Sequence, residues 1–289
     1  MAAQETALKP EKQSVEIKLA HSPDSDDAFM FYALATHKLP TPGYKYTHVL
    51  SDIQTLNEAA LAETYDVTAV SFAAYPSIRD KYMLLDCGAS FGEGYGPIVV
   101  SARPFKKDDL KGKRIAVPGT LTTAYLACRL FQPDFQPVVT PFDKITDAVR
   151  ERTVDLGLII HEAQLTYDRE GFHRIIDLGR WFKSTFELPL PLGGNVLLRS
   201  LDREIQSECC RLMRESIQYA LDNHAEALTY ALQFARDMEP RLAEKFVGMY
   251  VNHYTLDAGE VIPRAAQKLL DLGHEAGLIS KRVEVEFVK

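Results

Sequence analysis

Four cysteines, at positions 87, 128, 209 and 210, stand in this chain of 289 residues with neither a C-x-x-C pair nor a regular interval. That spacing excludes a disulfide framework and a cysteine-based zinc or redox motif, and it predicts structural thiols in a reducing compartment. No apolar run approaches the ~18 residues that a membrane-spanning helix needs. The first fourteen residues mix Glu5, Lys9, Glu11 and Lys12 without an apolar stretch. They do not read as a secretory signal, so the expected location is cytoplasmic, and any disorder is expected at this end. Basic excess is missing as well. A net charge of -7 and a pI near 5.7 exclude the concentrated basic face that nucleic acid or an anionic membrane surface requires. An anionic ligand must then be held by local dipoles.

Several catalytic signatures are also absent. The eight histidines are scattered without metal-ligand spacing, and there is no G-x-S-x-G elbow, so neither a metal nor a serine-hydrolase mechanism is expected. A calcium loop starting at Asp24 would want glycine at Phe29 and glutamate at Ala35. The glycines of Gly92-Glu-Gly94-Tyr-Gly96-Pro97 precede a strand instead of following one, which is the wrong order for a dinucleotide loop. They read as a flexible approach to a strand between domains, with Tyr95 within reach of a ligand.

What remains is an ordinary globular composition, 46% hydrophobic and 25% charged, in a chain long enough to bury about three quarters of its unfolded surface. Strand-like and helical runs alternate, the pattern of sheets covered by helices. Predicted strands are Ile17 to His21, Tyr44 to Leu50, Val67 to Val70, Met83 to Asp86 and Pro97 to Ser101. A second unit follows, with strands Arg114 to Val117, Pro137 to Thr140, Leu156 to Ile160 and Arg174 to Leu178. Two sheets of modest width are implied. Asn195 to Arg199 is one more strand, after which the pattern is helical and most simply returns to cover the first sheet.

Candidate chemistry collects at strand ends. The run Val154-Asp-Leu-Gly-Leu-Ile-Ile-His161-Glu162 is a buried strand running into a histidine that opens a helix. An imidazole there feels the positive end of the helix dipole, which favours the neutral, proton-accepting form. His161 is the candidate base; a structural histidine that caps the helix is the competing account. Thr64-Tyr-Asp66 and its strand ending at Ser71 echo Thr153-Val-Asp155 and the strand ending at His161, so the two ends would line a cleft between domains if they face one another. The turn Pro118-Gly-Thr-Leu-Thr122-Thr123 offers hydroxyls and free N–H groups to a carboxylate or phosphate, or Thr122 merely caps its helix. After the first strand, Asp26 and Asp27 either cap a helix or line a cleft beside His21 and Ser22.

Taken together, Ser71-Phe-Ala-Ala-Tyr75, Val117-Pro-Gly119 with Thr122-Thr-Ala-Tyr125, Gly157-Leu-Ile-Ile-His161-Glu162 and Leu188-Pro-Leu-Pro-Leu-Gly193 resemble the 1,4-dihydroxy-6-naphthoate synthase family of the futalosine route to menaquinone. The resemblance implies an α/β, two-domain periplasmic-binding-protein-like (type II) fold with the ligand cleft between the domains. The larger domain would comprise residues 15–102 plus 199–289 and the smaller 103–198, with crossings near Ser101-Arg103 and Asn195-Leu198. It further implies a carbon-carbon lyase that takes cyclic dehypoxanthinyl futalosine, a small anionic substrate, to 1,4-dihydroxy-6-naphthoate without a cofactor. His161 matches the family's proton acceptor; Ala69, Val70, Ser71, Thr122 and Thr123 match its substrate contacts. Ser22 and Asp27 complete the expected site. One segment departs. The family's Ser-Pro-Cys-Pro-Asn-Asp pattern is here Ser22-Pro-Asp-Ser-Asp-Asp27, which bears on substrate identity. The chorismate dehydratase of the same pathway and a non-catalytic solute-binding protein share the scaffold and remain alternatives. Oligomeric state is left open by the sequence.

Overall fold

A computed structural model describes residues 14–235 and 238–288, the Asp108 side chain excepted. The expected disorder at the amino end concerns residues 1–13, which lie outside the described residues. The chain begins with β1 (Val15–His21), α1 (Ser25–Ala35), β2 (Tyr44–Leu50), α2 (Ile53–Leu61), β3 (Val67–Ser71), α3 (Tyr75–Ile78), β4 (Tyr82–Leu85) and β5 (Ser90–Gly92). A second series follows: β6 (Ile98–Ser101), β7 (Arg114–Val117), α4 (Thr123–Phe131), β8 (Gln136–Val139), α5 (Ile145–Arg150), β9 (Leu156–Ile159), β10 (His173–Asp177) and α6 (Leu178–Phe186). The chain then forms β11 (Leu190–Leu198), α7 (Arg203–Asp222), α8 (His224–Ala231), α9 (Pro240–Tyr250), α10 (His253–Leu256), α11 (Val261–Glu275) and β12 (Phe287–Val288).

Two sheets result. The first is ordered β12-β4-β11-β3-β1-β2, with β5 paired to β11, and the second β10-β6-β9-β7-β8. Both are mixed. β11 runs antiparallel to β3 and β4, and β6 antiparallel to β9 and β10, whereas β1, β2 and β3 are mutually parallel, as are β7, β8 and β9.

The chain passes between the sheets at different points from those expected. β6, assigned by sequence to the larger unit, pairs with β9 and β10 in the second sheet; β11, assigned to the smaller, lies between β3 and β4 in the first. The sheets therefore change between Gly92 and Ile98 and again between Asp177 and Leu190. The shift at β11 has a local cause. Leu190-Pro-Leu-Gly-Gly194, expected to precede a strand, is itself strand. Pro191 lies beside a register shift in the pairing with β5, where the missing N–H does no harm.

Other differences are small. Asp24, not Asp26 or Asp27, occupies the position before α1, and it caps through no side-chain bond, so the two later carboxyls sit in the first turn. The glycine-rich segment is tightly held instead of flexible: the Tyr95 hydroxyl donates to the Met249 carbonyl, and a Cβ at Gly179 would strike the Tyr95 carbonyl.

The core explains the burial pattern. Every residue from Ala28 to Leu34 in α1 is buried because the helix is covered by α7, α8 and α9 as well as by the sheet. A continuous apolar cluster joins Val70, Phe72 and Leu84 of the first sheet region to Val99, Ile115 and Leu158 of the second, with α11 residues Ile262, Ala266 and Leu269 in the same cluster. The four cysteines are buried, and burial holds the Cys87 and Cys128 thiols up at about 12.

Candidate functional site

The carboxyl ends of β1 and β3, the amino end of α4 and the middle of β11 converge on one cavity of about 790 Å³, part of it open to solvent. Local sequence puts each wall there. β3 is buried throughout and stops at Ser71, whose backbone N–H donates to Asn57 Oδ1 at 2.8 Å and whose hydroxyl accepts from Asn57 Nδ2 at 3.2 Å. That clamp ends the strand. α4 starts where Thr122 Oγ1 accepts from the Tyr125 N–H, while the same hydroxyl donates to the Gly119 carbonyl at 2.8 Å. Capping and site placement are thus one arrangement.

All seven expected substrate-binding residues, Ser22, Asp27, Ala69, Val70, Ser71, Thr122 and Thr123, line the cavity. Polar contacts tie its walls across the two sheets. Thr123 Oγ1 accepts from the Ala73 N–H at 3.1 Å, Gln54 Oε1 from the Leu121 N–H at 3.1 Å, and Gln164 Oε1 from the Tyr250 hydroxyl at 2.9 Å. No Lys or Arg among the described residues lines it. A carboxylate would therefore find N–H and O–H dipoles at the start of α4, as the acidic composition requires.

The opposite wall is acidic. Asp24, Asp26 and Asp27 all line the cavity; Asp27 Oδ2 accepts from the Ser22 N–H at 2.8 Å, and the Ser22 hydroxyl donates to Asp24 Oδ2 at 3.0 Å. Burial, then repulsion from Asp27, Asp24 and Glu162, raises Asp26 well above the ordinary carboxylate range. Burial also pushes Asp27 up to about 7, opposed by the hydrogen bonds from Ser22. At neutral pH this wall carries protonated carboxyl character, so it can donate as well as accept.

Just behind it, His21 stacks on Phe31 at 4.2 Å, and its Nδ1 and Nε2 meet the Ser22 carbonyl at 2.9 Å and His48 Nδ1 at 3.3 Å. Burial lowers His21 to about 3 and His48 to about 4. Both rings are neutral structural members.

His161 stands apart. It is 8% exposed, and it does not line this cavity, although Ile160 and Gln164 on either side do. Nδ1 accepts from the Ala163 N–H at 3.1 Å, Nε2 lies 3.1 Å from the Phe142 carbonyl, and the ring borders a second concavity with Asp143, Thr146, Glu162 and Arg169. A lone pair at Nδ1 and a proton at Nε2 make this the neutral tautomer. The helix it opens is a single 3-10 turn, Glu162–Leu165, too short for the dipole invoked from sequence; the direct bond from Ala163 supplies the preference instead. Of the echoed strand ends, Ser71 reaches the cavity directly and His161 only through its neighbours.

Sequence reasoning missed Gly193, Asn195, Gln164 and Tyr250, all of which line the cavity. Glycine pairs inside a strand are a signal of close approach that could have found the first two. Gln164 lies one 3-10 turn beyond His161. Tyr250 arrives from α9 with no local signal.

The model of the menaquinone biosynthesis family matches residues 17–275. The chain belongs to that family. It is 37% identical over 272 residues to the 1,4-dihydroxy-6-naphthoate synthase of Thermus thermophilus, covering 94% of this chain and 99% of that one. The Streptomyces coelicolor protein of the same name is 37% identical over 270 residues, covering 91% and 94%. Among solved structures, a protein from Archaeoglobus fulgidus superimposes with a TM-score of 0.87 at 46% identity, covering 91% of this chain and 98% of that one. The alkanesulfonate-binding protein SsuA of Xanthomonas axonopodis pv. citri, bound to MOPS, gives a TM-score of 0.70 at 16% identity, covering 96% and 98%. That likeness bears on fold alone, and the fold is periplasmic-binding-protein-like. The chain is an enzyme of menaquinone biosynthesis on this scaffold, and no described helix is long and apolar enough to cross a membrane.

Proposed function

We propose that this protein is a carbon-carbon lyase that converts cyclic dehypoxanthinyl futalosine to 1,4-dihydroxy-6-naphthoate, acting in the cytoplasm. The observation that carries the reading is the nearly end-to-end match to two proteins named for that product, combined with a cavity lined by every substrate contact the resemblance implied.

Aromatising elimination begins when a proton leaves carbon, so the site must offer a base that is uncharged or anionic near neutral pH and must keep water out. The substrate carboxylate is assigned to Thr122 and Thr123 at the start of α4, away from the carboxyls of the opposite wall. His161 is assigned as base. To reach substrate its ring must leave the Phe142 carbonyl and turn between Ile160 and Gln164 toward the cavity, a side-chain rotation that ligand-driven closure can select. A second reading has its own support. Asp27 already faces the cavity and titrates near neutrality, so it is the alternative base.

The deciding experiment incubates the purified protein with cyclic dehypoxanthinyl futalosine and, separately, with chorismate, and follows products by mass spectrometry. Consumption of the first is expected. Consumption of chorismate alone would reject the assignment in favour of a dehydratase, and binding without turnover of either would favour a solute-binding role.

A further inference from the structure

Asn195, one of the residues that line the cavity, carries a buried acceptor that no described residue uses. In the β3–β11 pairing Gly193 stands opposite Ser71 and Asn195 opposite Ala69, so the alternation of the strand puts Gly193 and Asn195 on one face. Asn195 is 2% exposed and lines the cavity. Its Nδ2 donates to the Gly88 carbonyl at 2.7 Å. A carbonyl needs a donor, so this bond fixes which way the amide faces. Gly88 is held at φ +75, and a Cβ there would come within 2.7 Å of the same Nδ2, so the close approach depends on glycine. Oδ1 is left with no donor among the described residues. Buried polar atoms without partners are rare in folded proteins, and at a ligand cavity the simplest explanation is a partner brought by the ligand.

The chemistry of that partner follows. Oδ1 accepts only, so the ligand must present an O–H or N–H, and a carboxylate cannot serve. The carboxylate end has its own place at the Thr122–Thr123 turn. We infer that Asn195 is a specificity residue whose Oδ1 accepts a hydrogen bond from a hydroxyl on the sugar-derived part of the substrate, fixing which end of the molecule lies over β11. This assignment rests on the proposed function and adds a residue and an orientation to it.

The test compares kcat/KM for cyclic dehypoxanthinyl futalosine with that for analogues each lacking one sugar-derived hydroxyl, in wild type, Asn195→Ala and Asn195→Ser. A site built to hold a hydroxyl rejects the analogue without it. One analogue is expected to be at least ~30-fold poorer for wild type, while Asn195→Ala loses at least ~30-fold on the full substrate and little on that analogue. Asn195→Ser, which keeps a donor for the Gly88 carbonyl, should show the same loss of discrimination, and unfolding midpoints report whether either variant is merely misfolded. Equal losses on substrate and on every analogue, or no loss at all, would overturn the assignment while leaving the proposed function standing. Absence of wild-type turnover would overturn both.

Discussion

Replacing Asp27 by asparagine should stabilise this protein much more at alkaline pH than in mild acid. The carboxyl is buried beside Asp24, and its pKa rises from 3.8 to about 7. At about 1.4 kcal/mol for each pH unit, ionising it in the folded state costs about 4 kcal/mol. The sign follows from proton counts. Between about pH 4 and pH 7 the folded chain holds a proton that the unfolded chain has released, so this contribution to stability falls as pH rises and is fully lost above the folded pKa. Asparagine carries no such penalty, and its Oδ1 can still accept from the Ser22 N–H. The expected gain is about 2–4 kcal/mol at pH 8, or about 4–10 °C in unfolding midpoint, against about 1 kcal/mol at pH 4.5, where the unfolded carboxyl is already largely ionised.

The assay is thermal or urea unfolding of both proteins at the two pH values. Comparing variant with wild type at each pH cancels the His21–His48 pair, whose depressed values act in the opposite direction by removing stability as pH falls below about 6.5. An equal stability difference at pH 4.5 and pH 8 would refute the electrostatic reasoning. Such a cost, placed at the cavity wall, is what a site selected for chemistry carries.

His161→Asn should lower kcat by at least ~100-fold with the unfolding midpoint nearly unchanged, because asparagine can still accept from the Ala163 N–H; a near-normal rate, with Asp27→Asn inactive instead, would transfer the base role to Asp27. Gly193→Leu should fill the cavity floor, since only the Val70 carbonyl lies within 4 Å of a Cβ there, so kcat/KM should fall at least ~100-fold in a protein that still folds by circular dichroism. Gly119→Ala should destabilise by about 1–3 kcal/mol in urea unfolding. Gly119 sits at φ +153, and its Cβ would lie 2.1 Å from the Gln54 Oε1 that holds the Leu121 N–H across the sheets.

Much of this was legible along the chain because it depends on local periodicity and on chemistry at short range. Alternating strand and helix patterns announced two sheets. The hydroxyls of Ser71, Thr122 and Thr123 were readable because a strand that ends in a capped turn exposes N–H and O–H groups wherever it lies. The acidic balance left any anionic ligand to local dipoles such as those at the start of α4. His161 was legible as a strand-end histidine, but the direction of its ring was not, since Phe142 and Ala163 decide that through bonds the sequence does not display.

Tertiary structure alone decided the rest. Strand pairing is a long-range choice, and only the antiparallel insertion of β11 between β3 and β4 brings Gly193 and Asn195 beside Ser71 and Ala69. The same insertion moved the points at which the chain passes between sheets. Whether Asp26 and Asp27 cap a helix or line a cleft was open along the chain, and packing places both at the cavity. A carboxyl's proton affinity depends on what surrounds it in space, and those surroundings come from segments more than a hundred residues apart.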